Sequence, residues 1–336
     1  MNYRLFINPK GTMTKVQQVV EGIRKDIEKG NLISGSRLPS ITAFSLAHNI
    51  ARETVEKAYN ILKKEELVVS IPGRGIYTTN NIPGKLKILM VMNKISTYKK
   101  EIYESFLERL GARASVDIKI HHYDPLIFKE IIEKARGQYH YYVIMPHFFG
   151  DANPSTYMPT IESIMPSELL ILDKQINMAG DYRSVYQDFH RDIYEAMESA
   201  IGSFDKYTDV KLIFPPESHH PIEIIDGIKL FCNRRKKTLE VHQSSEDLKL
   251  EMGQLWIALT EAELGALVKL IRGSELEMGR DIGVISFNET VLKELLDITV
   301  ISTDFRGMGV KAADLVLGNL PKKIRNKFSF IPRGSL

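Results

Sequence analysis

Cysteine occurs once in 336 residues, as Cys232, and tryptophan once, as Trp256. A lone cysteine permits no internal disulfide and no cysteine-built zinc finger, and it suits a reducing compartment. No stretch approaches the roughly 20 consecutive apolar residues of a membrane-crossing helix, so no membrane partner is expected. The opening MNYRLFINPKGTMTK is polar and charged where a secretory leader needs an apolar run, which leads us to expect the cytoplasm. G-x-S-x-G, H-E-x-x-H and G-x-G-x-x-G do not occur in the chain. Pro72-Gly-Arg-Gly75 lacks the Lys-Ser/Thr and the following helix of a phosphate loop. The pairs His121-His122 and His219-His220 fall in strand-like surroundings, where neighbours point to opposite faces and do not chelate one ion. No catalytic residue, metal or cofactor is therefore assigned.

The net charge of +3 hides an asymmetry. Residues 1–80 hold 12 Lys and Arg against 7 Asp and Glu, a balance of +5. The remaining residues hold 33 against 35, a balance of −2. A basic first quarter is what contact with a polyanion requires. In it, Val16, Val19, Val20, Ile23 and Ile27 recur at helical spacing and stop at Gly30-Asn31. ISGSRLPS is a turn with Ser40 placed to cap a second helix, SITAFSLAHN. A third helix is expected over 51–64, with Val55, Ala58, Tyr59 and Leu62 on its inner face and Arg52, Glu53, Glu56 and Lys57 on the outer. Two i,i+4 pairs, Arg52–Glu56 and Glu53–Lys57, are then in reach of each other. LVVSIPGRGIYTT reads as two short strands around a Pro-Gly turn.

NNIPGK marks a linker, giving a division into 1–80, a linker at 81–86, and 87–336. Beyond it, apolar strand-like runs alternate with helical segments: LKILMVM, VDIKIHHY, YYVIMP, ELLILD, VKLIFPP, QLWIAL, DIGVISF and ITVISTD. Such alternation implies parallel sheets covered by helices, and its length suits two lobes better than one. Trp256 falls inside a buried strand pattern, which favours the core over a ligand-stacking role. The basic NRRKK at 233–237 reads as a solvent-facing helix end.

Three helices and a hairpin form the outline of a winged helix-turn-helix. GSRLPS…ARETVEKAYNILKKEELVVSIPGRGIYTT resembles the DNA-binding domain of the GntR family of bacterial transcription regulators. The resemblance rests on Leu-Pro-Ser before helix two, Arg-x-Thr-Val opening helix three, and the Gly-x-Gly wing. It implies that helix three lies in the major groove with its first residues at base edges. Arg52, Glu53, Thr54 and Lys57 are then candidate readers, and Arg37, Ser40, Thr42 and Arg74 candidate phosphate and edge contacts. Three positions depart from the family pattern: Thr42 stands where an Arg is common, Ala51 where a small hydroxyl residue is usual, and Glu53 where another is common.

RDIGVISFNETVLKELLDITVISTDFRGMGVKAADLVL and the ending FIPRGSL resemble the C-terminal half of the LacI-family effector domain, itself similar to periplasmic sugar-binding proteins. The resemblance implies two α/β lobes with a ligand at the strand ends in a cleft. The first lobe would take 86–178 and a return near 298–318. Candidate effector residues just past strand ends are Asn93, Tyr98, Asp173, Lys174, Asp188, His220 and Asn288, with Lys94 and His219 beside them. Asn288 stands where the family usually has Asp, Ile224 where it often has Arg, and Leu259-Thr260 where Asn-Asp is usual.

The expected architecture is an α+β winged helix-turn-helix N-terminal domain followed by an α/β two-lobed periplasmic-binding-protein-like C-terminal domain. The expected function is a non-enzymatic transcription regulator. Its partners would be double-stranded operator DNA, a sugar-like effector and a second copy in a homodimer. A solute-binding protein for transport would carry a leader and no winged helix, and a fused aminotransferase would need a much longer second domain.

Overall fold

The computed structural model describes residues 5–8, 13–79, 86–149, 152–216, 220–318 and 322–336. The linker segment 81–85 and His219 lie outside the described residues; Leu86 already begins a strand.

The head begins with α1 (Lys15–Glu28), whose N-terminus is closed by a capping box between Thr14 and Gln17. Ser40 caps α2 (Ile41–His48), its Oγ accepting the Ala43 N–H at 3.1 Å, and Asn49 ends the helix in the left-handed conformation. α3 (Arg52–Lys64) follows after Ile50 and Ala51, and Ala51 at its N-cap offers no side-chain cap. The wing is β1 (Val68–Ile71) paired antiparallel with β2 (Gly75–Thr78). Gly73 at φ 73° and Gly75 at φ 117° turn the chain between them, in backbone regions that L side chains rarely adopt. Ile23, Phe44, Val55, Ala58 and Leu62 are fully buried in one core. Tyr59 belongs to it and donates its hydroxyl to the Pro39 carbonyl at 3.0 Å, tying α3 to the Leu-Pro-Ser turn.

The remaining chain continues as β3 (Leu86–Met92), α4 (Thr97–Leu110), β4 (Ala114–Ile120), α5 (Pro125–Ala135), β5 (Tyr141–Ile144), α6 (Pro154–Glu162), β6 (Leu169–Lys174) and β7 (Arg183–Gln187). It goes on through α7 (Phe189–Ser199), β8 (Asp209–Ile213), α8 (Glu223–Arg235), β9 (Thr238–His242), β10 (Gln254–Ala258), α9 (Glu261–Arg272) and β11 (Gly283–Phe287). The last elements are α10 (Val291–Leu295), β12 (Thr299–Thr303), α11 (Phe305–Leu317), β13 (Lys323–Arg325) and β14 (Phe328–Ile331). One six-stranded sheet runs β13-β7-β6-β5-β3-β4 and the other β14-β12-β11-β10-β8-β9. Strands β3 to β6 pair in parallel, as do β8 to β12, while β14 closes the second sheet antiparallel. The all-buried pattern of β5, β10, β11 and β12 is what helices on both faces produce.

The chain divides into two compact units, one of 1–172, 176–184 and 310–323, the other of 173–175, 185–309 and 324–336. This corrects the expected return of the first lobe near 298–318. β12 belongs to the second sheet, and the first unit regains the chain only at Val310. The winged head falls in the same unit as the first lobe, and α1 is the reason. One side of α1 enters the head core. The other carries Lys25, Glu28 and Lys29 against the lobe. Lys29 Nζ lies 3.4 Å from Glu168 Oε1 and 4.8 Å from the centre of the Tyr141 ring, which Arg183 also approaches, at 5.0 Å. Glu28 accepts from His140 Nε2, and His140 Nδ1 accepts the Lys87 N–H at 2.9 Å, so a neutral imidazole serves both contacts. Burial pushes the Lys29 ammonium down to about 8 despite Glu168.

VDIKIHHY was expected to be strand throughout, but β4 ends at Ile120. His121 folds inward between Phe128 and Phe148, and His122 is exposed with φ 51°. His121 Nε2 faces the Met145 carbonyl at 3.3 Å, and its Nδ1 has no hydrogen bond among the described residues. Burial lowers its pKa to about 4. Between about pH 6.5, where the unfolded imidazole titrates, and pH 4, the unfolded chain holds a proton that the folded chain refuses. Stability is therefore expected to fall across that window as the pH drops, by up to about 3 kcal/mol from this group. His121→Phe, which keeps the ring packing, should flatten that part of a urea-unfolding pH series.

Candidate DNA-reading surface and strand-end clusters

Burying Val55, Ala58, Tyr59 and Leu62 turns the opposite face of α3 outward. Arg52, Glu53, Glu56 and Lys57 are exposed and Thr54 is half-buried. Of the two expected i,i+4 pairs only one forms: Lys57 Nζ meets Glu53 Oε1 at 2.8 Å, while Arg52 has no side-chain partner among the described residues. The pairing holds Glu53 below the usual carboxylate range and Lys57 above the usual ammonium range. Arg52 is thus an uncommitted cation, among the described residues, at the N-terminal end of α3, the part that meets base edges when a helix-turn-helix binds DNA.

Arg37 and Arg74 are brought to one edge. Arg37 bridges in β fashion to Tyr77 of β2, and a Cβ built on Gly75 would lie only 3.2 Å from its Nε. Arg74 sits exposed in the turn, its N–H donating to Ile71. Ser40 and Thr42 are exposed at the start of α2, although the Ser40 hydroxyl is already occupied as a cap. The result is a cationic wing edge beside a helix whose outer face mixes both signs.

The strand-end candidates fall into separate groups. In the first lobe, Asn93 follows β3 but is buried, and its Oδ1 accepts from Lys99 Nζ at 2.5 Å. Tyr98 stands beside it, half-buried, in the first turn of α4. Asp173 and Lys174 end β6, where the chain passes into the second unit, Asp173 with φ 73° and largely buried. In the second lobe, Asn288 follows β11 at φ 61°, and its Oδ1 accepts the Thr303 N–H at 3.4 Å. The Thr303 hydroxyl accepts from Gln187 Nε2, and Gln187 precedes Asp188, which caps α7 by accepting the Arg191 N–H at 3.2 Å. Asp188 and Asn288 are thereby joined through two buried residues, Gln187 and Thr303, that sequence reasoning did not name. Both are polar residues ending strands that are otherwise apolar, a signal present in SVYQD and ITVISTD. Lys293 adds another, its buried Nζ donating to the carbonyls of Phe287 and Asn288 at 2.6 and 2.9 Å. His220 is half-buried before α8. Trp256 is core, its Nε1 donating to Gln254 at 2.9 Å.

The chain thus combines a winged helix-turn-helix head with two parallel α/β lobes. Residues 15–78, in the head, match the model for bacterial regulatory proteins, gntR family. The HTH-type transcriptional repressor YtrA of Bacillus subtilis is 24% identical over 131 residues, 39% of this chain and 94% of its own. Two solved structures share the fold of the body. The trehalose repressor from Escherichia coli aligns with a TM-score of 0.59 at 12% identity, over 74% of this chain and 100% of its own. The Lac repressor bound to ONPG in the repressed state aligns with a TM-score of 0.59 at 16% identity, over 85% and 90%.

The Glu53–Lys57 pair sets one expectation. Glu53→Gln should free Lys57 for phosphate, tighten binding to duplexes of any sequence, and steepen the slope of log K against log salt by about 1. Anisotropy titrations over a salt series would read both effects.

Proposed function

We propose that this protein is a cytoplasmic, one-component regulator, not an enzyme, that binds operator DNA through α3 and the wing. A small molecule, a sugar or sugar derivative, controls its affinity for that operator. The observation that carries the DNA half is Arg52, exposed and uncommitted at the start of the reading helix of a GntR-family head. Arg52 would take a guanine edge or a phosphate, Glu53 and Lys57 would act as a coupled pair, and Thr54 would supply a short hydroxyl. Arg37, Ser40, Thr42 and Arg74 would position the head along the backbone.

The effector half draws support from regulators of similar fold, the trehalose repressor and a LacI-family transcriptional regulator from Lactobacillus casei solved with bound glucose at a TM-score of 0.57. Asn93, Tyr98, Asp173, Lys174, Asp188, His220 and Asn288 would contribute amide, carboxylate, ammonium and ring groups suited to a polyhydroxylated ligand. The Lys99–Asn93 and Thr303–Asn288 hydrogen bonds would hold two of those amides in fixed orientation. The head would span 1–80 and the effector body 87–336, and a homodimer would match the two-fold symmetry of a paired half-site. The effector must prefer one state of the protein, because equal affinity for both shifts nothing.

Arg52→Ala is expected to weaken binding to the chain's own promoter region by about 1–3 kcal/mol while leaving random duplex nearly unaffected. Equal losses on both, measured by anisotropy at moderate salt, would contradict the base-reading role. A sugar panel should contain a compound that raises the unfolding midpoint of the full chain. Asn288→Gly, which tolerates the left-handed backbone but deletes the amide, should abolish that rise.

A further inference from the structure

A cavity of about 380 Å³ opens within the first unit, between α1 and the α5–α6 side of the lobe. Its size falls in the range of small-molecule sites. Ile132, Tyr142, Ile164 and Met165 supply apolar wall from the lobe, and Arg136 stands exposed at its rim, hydrogen bonded to Ser163 Oγ at 2.8 Å. Lys25 enters from α1. Its side chain is only 8% exposed, yet its Nζ makes no hydrogen bond among the described residues. The nearest carboxylate, Glu168, is 3.9 Å away and lies closer to Lys29, at 3.4 Å. The other acids on the wall are engaged: Glu21 with Arg24, and Asp26 with Asn31 Nδ2 at 2.9 Å. Lys25 therefore lines the cavity with a buried ammonium that has one long ion contact, to Glu168, and no hydrogen bond among the described residues.

We propose that this cavity is a second ligand site, distinct from the strand ends, which takes a small organic carboxylate with an apolar body and holds it on Lys25. Burial lowers the Lys25 pKa, so an anionic acceptor that restores its lost hydration is the chemistry the site lacks. Charge-assisted hydrogen bonds are roughly twice as strong as neutral ones, which favours a carboxylate over an alcohol. The apolar wall requires a hydrocarbon or aromatic body rather than acetate. Because α1 is one wall and the lobe the other, an occupant favours the arrangement of the head against the lobe that forms the cavity.

The probe is 4-phenylbutyrate, titrated calorimetrically into the full chain without DNA or sugar, with 4-phenylbutanol and acetate alongside. The expected result is saturable binding of one phenylbutyrate per chain, with phenylbutanol and acetate each at least about tenfold weaker. Lys25→Met, which keeps the stem and removes the charge, should weaken phenylbutyrate about tenfold or more. Met165→Trp, which fills the cavity from a partly exposed position, should weaken it similarly even if Lys25→Met fails to fold. Absence of saturation by about 10 mM, equal binding of the alcohol, or either folded variant binding as tightly as the parent would overturn the proposal. None of these readouts involves an operator or the strand-end residues, so failure here and failure of the regulatory reading are separable.

Discussion

One helix belongs to two cores. α1 buries Val19, Val20, Ile23 and Ile27 in the winged head, and from its other side sends Lys25, Glu28 and Lys29 into contact with the first lobe. Moving a charge out of water costs several kcal/mol, which is recovered only when partners meet it in good geometry. The contact is therefore selective rather than adhesive. Lys29 needs Glu168 and the Tyr141 ring together, and Glu28 needs His140 in the tautomer that Lys87 enforces. A head rotated by one helical step would bury the same charges without those partners. The orientation of α3 and the wing on the lobe depends on this small set of ions.

The lobe residues that receive α1 belong to its sheet and the turns beside it. Tyr141 begins β5, Glu168 closes the turn before β6, and Arg183 begins β7 while donating to the Ser167 carbonyl at 2.7 Å. β6 and β7 end at Asp173 and Lys174 and just before Asp188, three of the residues assigned to the effector. A strand is stiff along its length because its ladder hydrogen bonds resist local change. The two ends of β6 and β7 thus stand at the two places for which activities are proposed.

How much of this could be read in the chain differs by element. The head was legible because cap, turn and periodicity agree: Ser40 caps, Gly73 and Gly75 turn, and Val55, Ala58, Tyr59 and Leu62 face inward as their spacing requires. The central parallel strands were legible as apolar runs. β9, β13 and β14 were not, since their partly exposed edge patterns carry no such run. His121 and His122 read as strand because nothing local announces that the pairing stops at Ile120. Asn93, Asp173, Lys174, Asp188 and Asn288 stand at strand ends, whereas Tyr98 lies in α4 and His220 just before α8; sequence could not show that Asn93 is already held by Lys99 or that Gln187 and Thr303 link Asp188 to Asn288. The outer face of α1 was the least legible. Lysines and a glutamate on a helix look solvated until the surface they meet is known.

That face also bears on where such a head could come from. Because its mating surface is made of ammonium and carboxylate groups rather than hydrocarbon, a detached head would keep an ordinary wettable exterior. A module of this kind can be transplanted between unrelated bodies without first becoming sticky, needing only a few matching ions on each new host.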